Sequence, residues 1–304
     1  MKKLIPGLIL FLLSAAAGFA QDFTALWPAG KMPNSKGIKL EHIEANQRIT
    51  QMAEPGFYSF LPAAEDNKGA AVLVLPSGGY HHLTYNLGGF QVAKWFNTLG
   101  IPAFVLNYRL PTSPDLEIRY KGPIQDAQRA MKIIRANAKK YNIDPDRIGV
   151  FGTSAGGHLA STLGTHSGDF SVIENDSLAE VYFSPAFMIL VSPVISFGKY
   201  AHEGSLENLL GKSSSEELKE EYSNDLQVTE DTPPSFLVHA QNDPVVDPMN
   251  SILFYQALLE HQVTASLHVF PQGKHVIGII NDSAFTDEWK SLCAEWLLEM
   301  GLIN

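Results

Sequence analysis

One cysteine, Cys293, occurs in 304 residues, so no disulfide forms within the chain and stability has to come from a packed core. Basic residues are the minority, 22 Lys and Arg against 32 Asp and Glu, and the net charge is −10. That balance leaves no footprint for nucleic acid or an anionic membrane surface. A run long enough to span a bilayer is missing too: Leu8–Ala17 falls short of the roughly 20 apolar residues a span needs. No repeat, low-complexity tract or long linker interrupts the chain, which argues for a single domain. No H-E-x-x-H or paired His/Asp spacing occurs, so no metal and no other cofactor is expected. The sequence carries no signal for an oligomeric state.

What is present begins with an export pattern. Residues 1–20, MKKLIPGLILFLLSAAAGFA, have a basic start at Lys2 and Lys3, a short apolar core and a small-x-small site at Gly18-Phe19-Ala20. They read as a signal peptide, which predicts a secreted or periplasmic protein with no membrane span after cleavage. Hydrophobic residues make up 45% and charged ones 18% of the chain, the composition of a globular protein.

Past the leader, short runs rich in β-branched and aromatic residues alternate with stretches of helical period. The runs are FYSFL (57–61), AVLVLP (71–76), PAFVLN (102–107), RIGVFG (147–152), AFMILVS (186–192), SFLVHA (235–240) and ASLHVF (265–270). Most are continuously apolar, as central strands covered on both faces must be. Helices are expected at about 87–98, 124–141, 155–166, 248–261 and 285–299. In the second, Ala127, Ala130, Met131, Ile134, Ala138 and Tyr141 share one face. This rhythm predicts an α/β fold with a mostly parallel sheet and helices on both faces. Residues 21–56, scattered with Pro and Gly, read as a surface extension preceding a domain over 57–304. Residues 195–232 read as an insert, either a roof over the ligand crevice or a solvated surface helix. Within it, Ser214 and Glu217 have the spacing of a capping box.

Chemistry enters at Gly152-Thr153-Ser154-Ala155-Gly156, a G-x-S-x-G stretch with a strand before it and a helix after it. A serine on a sharp strand-to-helix turn takes a positive φ, which holds its Oγ out over the sheet edge. The chain folds back so tightly that residues two before and two after have no room for a side chain, hence glycine. A nucleophilic serine needs a base and an orienting acid, and in this architecture they follow in the order Ser, Asp, His. QNDPVVDP, after the strand at 235–240, offers Asp243 and Asp247. Asp247 precedes Pro248 and a helical run, the pattern of an N-cap, so Asp243 is assigned the acid role. PQGKHVIG supplies His275, returned to the same edge by one helix and one strand. His81 and His82 stay as rivals in another loop, and His158 reads as packing inside the helix after the serine. The expected oxyanion hole combines the N–H of Ala155 with one from the loop PSGGYHH, at Gly78 or Gly79.

These residues resemble the α/β-hydrolase superfamily over most of 57–300. SGGYHHL, LNYRLP, RIGVFGTSAGGHLA, LLGKSSSEELKEEYS, TPPSFLVHAQNDPVV and QGKHVIG are similar to the esterase branch related to hormone-sensitive lipase. More closely they resemble secreted carbohydrate esterases of the acetylxylan and feruloyl type. The resemblance implies a Ser154, Asp243, His275 triad with Gly78, Gly79 and Ala155 at the oxyanion site, and an acylated carbohydrate as substrate. Where the branch carries His-Gly-Gly-Gly this chain reads Pro76-Ser77-Gly78-Gly79, leaving the second donor between Gly79 and Tyr80. The expected activity is removal of short acyl groups from plant polysaccharide fragments through an acyl-enzyme. A feruloyl esterase and a serine peptidase of the prolyl-oligopeptidase type are the alternatives. A non-enzymatic carbohydrate-binding module is disfavoured because no triad position is missing.

Overall fold

The computed structural model describes residues 22–279 and 285–303. The signal-peptide reading lies outside them. Among the described residues, each of the seven apolar runs is a strand, trimmed or shifted by two residues or fewer: β4 (Gly56–Phe60), β5 (Ala71–Leu75), β6 (Ala103–Asn107), β7 (Ile148–Thr153), β8 (Met188–Val191), β9 (Ser235–Ala240) and β10 (Ala265–Phe270). The segment 22–56 does more than wrap the surface. It contributes β1 (Phe23–Ala25) to the main sheet, antiparallel to β4, and a small hairpin of β2 (Ile43–Ala45) and β3 (Arg48–Gln51). The eight-stranded sheet runs β1-β4-β6-β5-β7-β8-β9-β10, and every pairing from β6 through β10 is parallel. β4 alone is reversed against its neighbours.

The continuous apolar runs follow from burial on two faces. Successive side chains of a strand point to opposite sides. Leu73, Leu75, Val150, Leu190 and Leu237 therefore join one core layer, while Val72, Val74, Phe151, Ile189 and Val238 join the other. The first layer is closed by α2 (Lys121–Ala136), the short α3 (Ala138–Tyr141), α4 (Ser154–Thr165) and α7 (Met249–Glu260). All six residues expected on the apolar face of 124–141 lie in it. The second layer is closed by α1 (Gln91–Thr98), entered through one π-turn at Asn86–Phe90, and by α8 (Thr286–Glu299). Cys293 is buried there between Trp289 and Trp296, and burial pushes its thiol pKa up, so it acts as a small apolar residue.

The insert holds two helices, α5 (Glu203–Leu210) and α6 (Glu216–Glu221). The capping box does not form. The N-cap of α6 is Ser215, in extended conformation with its hydroxyl accepting from the Leu218 N–H, so Ser214 lies outside the helix and Glu217 falls one residue short of the box position. No helix among the described residues is long and apolar enough to cross a membrane.

Candidate active site

The turn from β7 into α4 places Ser154 at φ 51, the strained conformation its glycine flanks anticipate. A Cβ on Gly152 would stand 2.2 Å from the Gly156 carbonyl oxygen, and one on Gly156 would stand 2.2 Å from that of Leu75. Neither contact is possible, so the serine owes its position to both glycines.

The structure brings Ser154, His275 and Asp243 into one hydrogen-bonded line. His275 Nε2 lies 2.9 Å from Ser154 Oγ, and Nδ1 lies 2.8 Å from Asp243 Oδ2. An ionised carboxylate can only accept, so Nδ1 carries the proton and Nε2 is left to accept from the serine hydroxyl. The Asp243 carboxyl is fully buried; its Oδ1 accepts from the N–H groups of Val245 and Val246 at 2.8 and 3.0 Å. Burial alone would raise its pKa, but hydrogen bonds from His239, His275 and the Val245 N–H outweigh that and hold it well below the usual carboxylate range. These hydrogen bonds favour the ionised carboxylate, the form that accepts from His275. Asp247 is exposed and accepts from the Met249 N–H at 2.9 Å, but the N-cap of α7 is Pro248, so Asp247 stands one residue ahead of the position expected of it.

His239, inside β9, stands behind Asp243. Its Nε2–H donates to the Val246 carbonyl at 3.0 Å and stands 3.3 Å from Asp243 Oδ2. His81 and His82 lie edge to face with each other, with ring centroids 5.8 Å apart, and neither is hydrogen-bonded to Ser154. The base loop is tightly wound: Lys274 and Val276 flank His275 at φ 56 and 53, and the Val276 N–H is tied to Ser192 Oγ at 3.2 Å.

In the loop after β5, both glycine carbonyls are hydrogen-bonded. The Gly78 carbonyl accepts from His81 and His82, and that of Gly79 from Asn208 Nδ2 at 2.8 Å. Among the described residues, the N–H groups of Gly79, Tyr80 and Ala155 donate to nothing. Ala155 is in the first turn of α4, where N–H groups have no partner within the helix. Gly78 has no room for a side chain, since a Cβ there would stand 1.8 Å from the His82 carbonyl oxygen. Gly79 and Tyr80 both sit at φ 60. The loop that carries Gly79 and Tyr80 leaves β5 at Leu75, which pairs with Gly152 at the turn into α4, so these N–H groups and that of Ala155 lie at the same edge of the sheet.

Tyr80 is 1% exposed, so it lines no cleft. Its hydroxyl donates to His158 Nδ1 at 2.9 Å, and His158 Nε2–H donates to the Tyr222 carbonyl of the insert at 2.8 Å. Burial pushes the His158 pKa down to about 4, against the opposing pull of the Tyr222 carbonyl. The unfolded chain, with an ordinary histidine near 6.5, takes up this proton first. Stability is therefore expected to fall as pH drops below about 6.5, with the full loss near pH 4, up to about 3 kcal/mol from this residue. Urea unfolding at pH 7 and pH 4.5 checks it: His158→Gln should lose less stability between the two than wild type. Equal losses would show that His158 does not carry the effect.

No group of three or more His, Cys, Asp or Glu among the described residues is placed to hold a metal ion. The curated proteins the chain is similar to include endo-1,4-beta-xylanase B of Butyrivibrio fibrisolvens, 35% identical over 232 residues, 76% of this chain and 36% of that one. Another is an acetylxylan esterase of Xylanibacter ruminicola, 34% identical over 243 residues, 78% of this chain and 47% of that one. The chain thus spans between a third and a half of the length of these relatives. Among solved structures, an acetyl ester-xyloside bifunctional hydrolase of Caldicellulosiruptor lactoaceticus superposes with a TM-score of 0.78 at 36% identity, covering 93% of this chain and 98% of that one. Its fold is that of the α/β-hydrolases, as is that of a Lactobacillus plantarum carboxylesterase at TM-score 0.66 and 22% identity. The BD-FAE family model matches residues 59–258, from the end of β4 into α7, a stretch that includes Ser154 and Asp243, and the chain belongs to that family.

Proposed function

We propose that the protein is an exported serine carboxylesterase that removes acetyl groups from acetylated xylan fragments through an acyl-enzyme on Ser154. The observation that carries the reading is the line from Ser154 Oγ through His275 to a buried, ionised Asp243, set beside three unpaired N–H groups. Oγ attacks the ester carbonyl carbon as its proton passes to His275 Nε2, and the carbonyl oxygen becomes an oxyanion between the N–H groups of Ala155 and the Gly79–Tyr80 loop. The bond to the sugar oxygen then breaks, and His275 returns the proton to it. Water repeats the sequence on the acyl-serine and releases acetate. Asp243 keeps the imidazole in the productive tautomer and balances its charge.

The substrate class is supported by the similar acetylxylan esterase and acetyl ester-xyloside hydrolase. The aromatic cleft a feruloyl ring would need gains no support from Tyr80, Tyr85 and Phe90. Tyr80 is buried, Tyr85 bonds Glu44, and Phe90 packs on Tyr58 and Phe60. Export rests on the leader at residues 1–20. The expected profile is acetate release from acetylated xylan, with much weaker turnover of methyl ferulate and p-nitrophenyl palmitate. Palmitate hydrolysis without acetate release would overturn the carbohydrate reading, and ferulate in first place would replace acetyl by feruloyl.

A further inference from the structure

We infer that Asn208, on the insert, is a positioning residue that fixes the Gly79–Tyr80 peptide so that its N–H is presented to the oxyanion. The inference rests on the esterase reading above.

The C=O and N–H of a trans peptide point in opposite directions, and no peptide of the described chain is cis. Whatever holds the Gly79 carbonyl therefore aims the Tyr80 N–H. That carbonyl accepts from Asn208 Nδ2 at 2.8 Å, its one hydrogen bond among the described residues. A carbonyl has no hydrogen to give, so the amide nitrogen of Asn208 must face it. The preceding peptide differs: its Gly78 carbonyl is held twice from within the loop, by the N–H groups of His81 and His82. The direction of the Gly79 N–H is thus intrinsic to the loop, whereas that of the Tyr80 N–H is imposed from outside it.

Backbone strain makes this imposed contact necessary. Tyr80 sits at φ 60, a conformation that an aromatic residue rarely adopts. Rotating the Gly79–Tyr80 peptide by half a turn changes only ψ of Gly79 and φ of Tyr80, and it returns Tyr80 to negative φ. Gly79 has no Cβ to oppose the rotation, and the nearest atom to one would be His202 Cε1 at 3.9 Å. The Tyr80–His158 hydrogen bond does not oppose it either, because a peptide flip leaves side chains in place. A flipped peptide would aim the Gly79 carbonyl oxygen at the site of developing negative charge. Asn208 is what stands against that flip. It is well anchored: its own carbonyl accepts from Arg119 Nη2 at 2.8 Å, while Leu206, Leu209 and Leu210 of α5 are buried in the core.

The test compares Asn208→Asp and Asn208→Ala with wild type on p-nitrophenyl acetate. The aspartate has the same shape, but when ionised it repels the Gly79 carbonyl. Its kcat should fall about 10²-fold, the cost of losing an oxyanion donor, with KM little changed. Affinity for a boronic acid that forms a tetrahedral adduct on Ser154 should fall in parallel. As pH is lowered through the carboxyl's titration, N208D should recover relative to wild type, because a neutral carboxyl donates again. N208A should lose kcat at an unchanged melting temperature and show no such recovery, and it decides the matter alone if N208D does not fold. Wild-type kcat in N208A, or a loss in N208D that ignores pH, would overturn the inference. A wild-type protein inactive on every ester would remove the esterase reading itself, a distinguishable failure.

Discussion

Replacing Ser154 by alanine is expected to abolish hydrolysis of p-nitrophenyl acetate and leave the melting temperature within a few degrees of wild type. Loss of the nucleophile costs about 10⁴–10⁶ in kcat in enzymes of this design. What remains is the oxyanion donors and binding, which on their own sustain roughly 10³-fold over water. The fold should tolerate the change because, among the described residues, Oγ makes one hydrogen bond, to His275. The tight turn itself is set by Gly152 and Gly156, which the variant keeps. Near-normal turnover in a folded variant would refute the mechanism.

Asp243→Asn should be almost as damaging, for a reason the hydrogen bonds specify. Two backbone donors, the N–H groups of Val245 and Val246, converge on Oδ1 and require an acceptor there. An asparagine would keep its carbonyl oxygen on that side and turn its NH₂ toward His275 Nδ1. The ring would then have to accept at Nδ1 and carry its proton on Nε2, where the serine proton has to be received. A loss on the order of 10⁴ in kcat is expected from the wrong tautomer. Asp247→Ala provides the contrast, since its carboxylate is outside the hydrogen-bonded line and accepts from the Met249 N–H just ahead of α7. It should cost about 1 kcal/mol of stability and leave kcat intact. Kinetic losses in the reverse order would move the acid role to Asp247.

The parts of this site that are legible in the sequence are those whose causes are local. Strands buried on both faces announce themselves as unbroken apolar runs, and β5 through β9 were visible for that reason. The nucleophile turn is legible because its strain and close approaches fall within five residues, each leaving a glycine or the serine itself. Pro248 and the helical run after it, which mark Asp247 as a helix-start residue, then separated it from Asp243. What escaped depends on distant contacts or on elements too short to show a period. β1 is three residues long and becomes a strand only because β4 is there to pair with it. Asn208 is 129 residues from the carbonyl it holds, and Tyr80 is 78 from His158. A polar residue in a helix gives no sign of such a partner. α5 did leave a trace, Leu206, Leu209 and Leu210 at helical spacing, inside an insert read for its Ser214 and Glu217 spacing instead. The oxyanion loop was narrowed to Gly79 or Tyr80 and no further, because the choice depends on peptide orientation, which residue types do not encode.

The central claim, that an ester is opened by way of a covalent bond to Ser154, is tested most directly by trapping that bond. Wild-type protein mixed with p-nitrophenyl acetate and quenched in acid within the first turnovers should give a burst of nitrophenol. Its digest should show one acetyl group on the peptide spanning Arg147 to the start of α4, localised to Ser154. Acetate release with no burst and no acetylated Ser154, or acetyl found on another residue, would contradict the account.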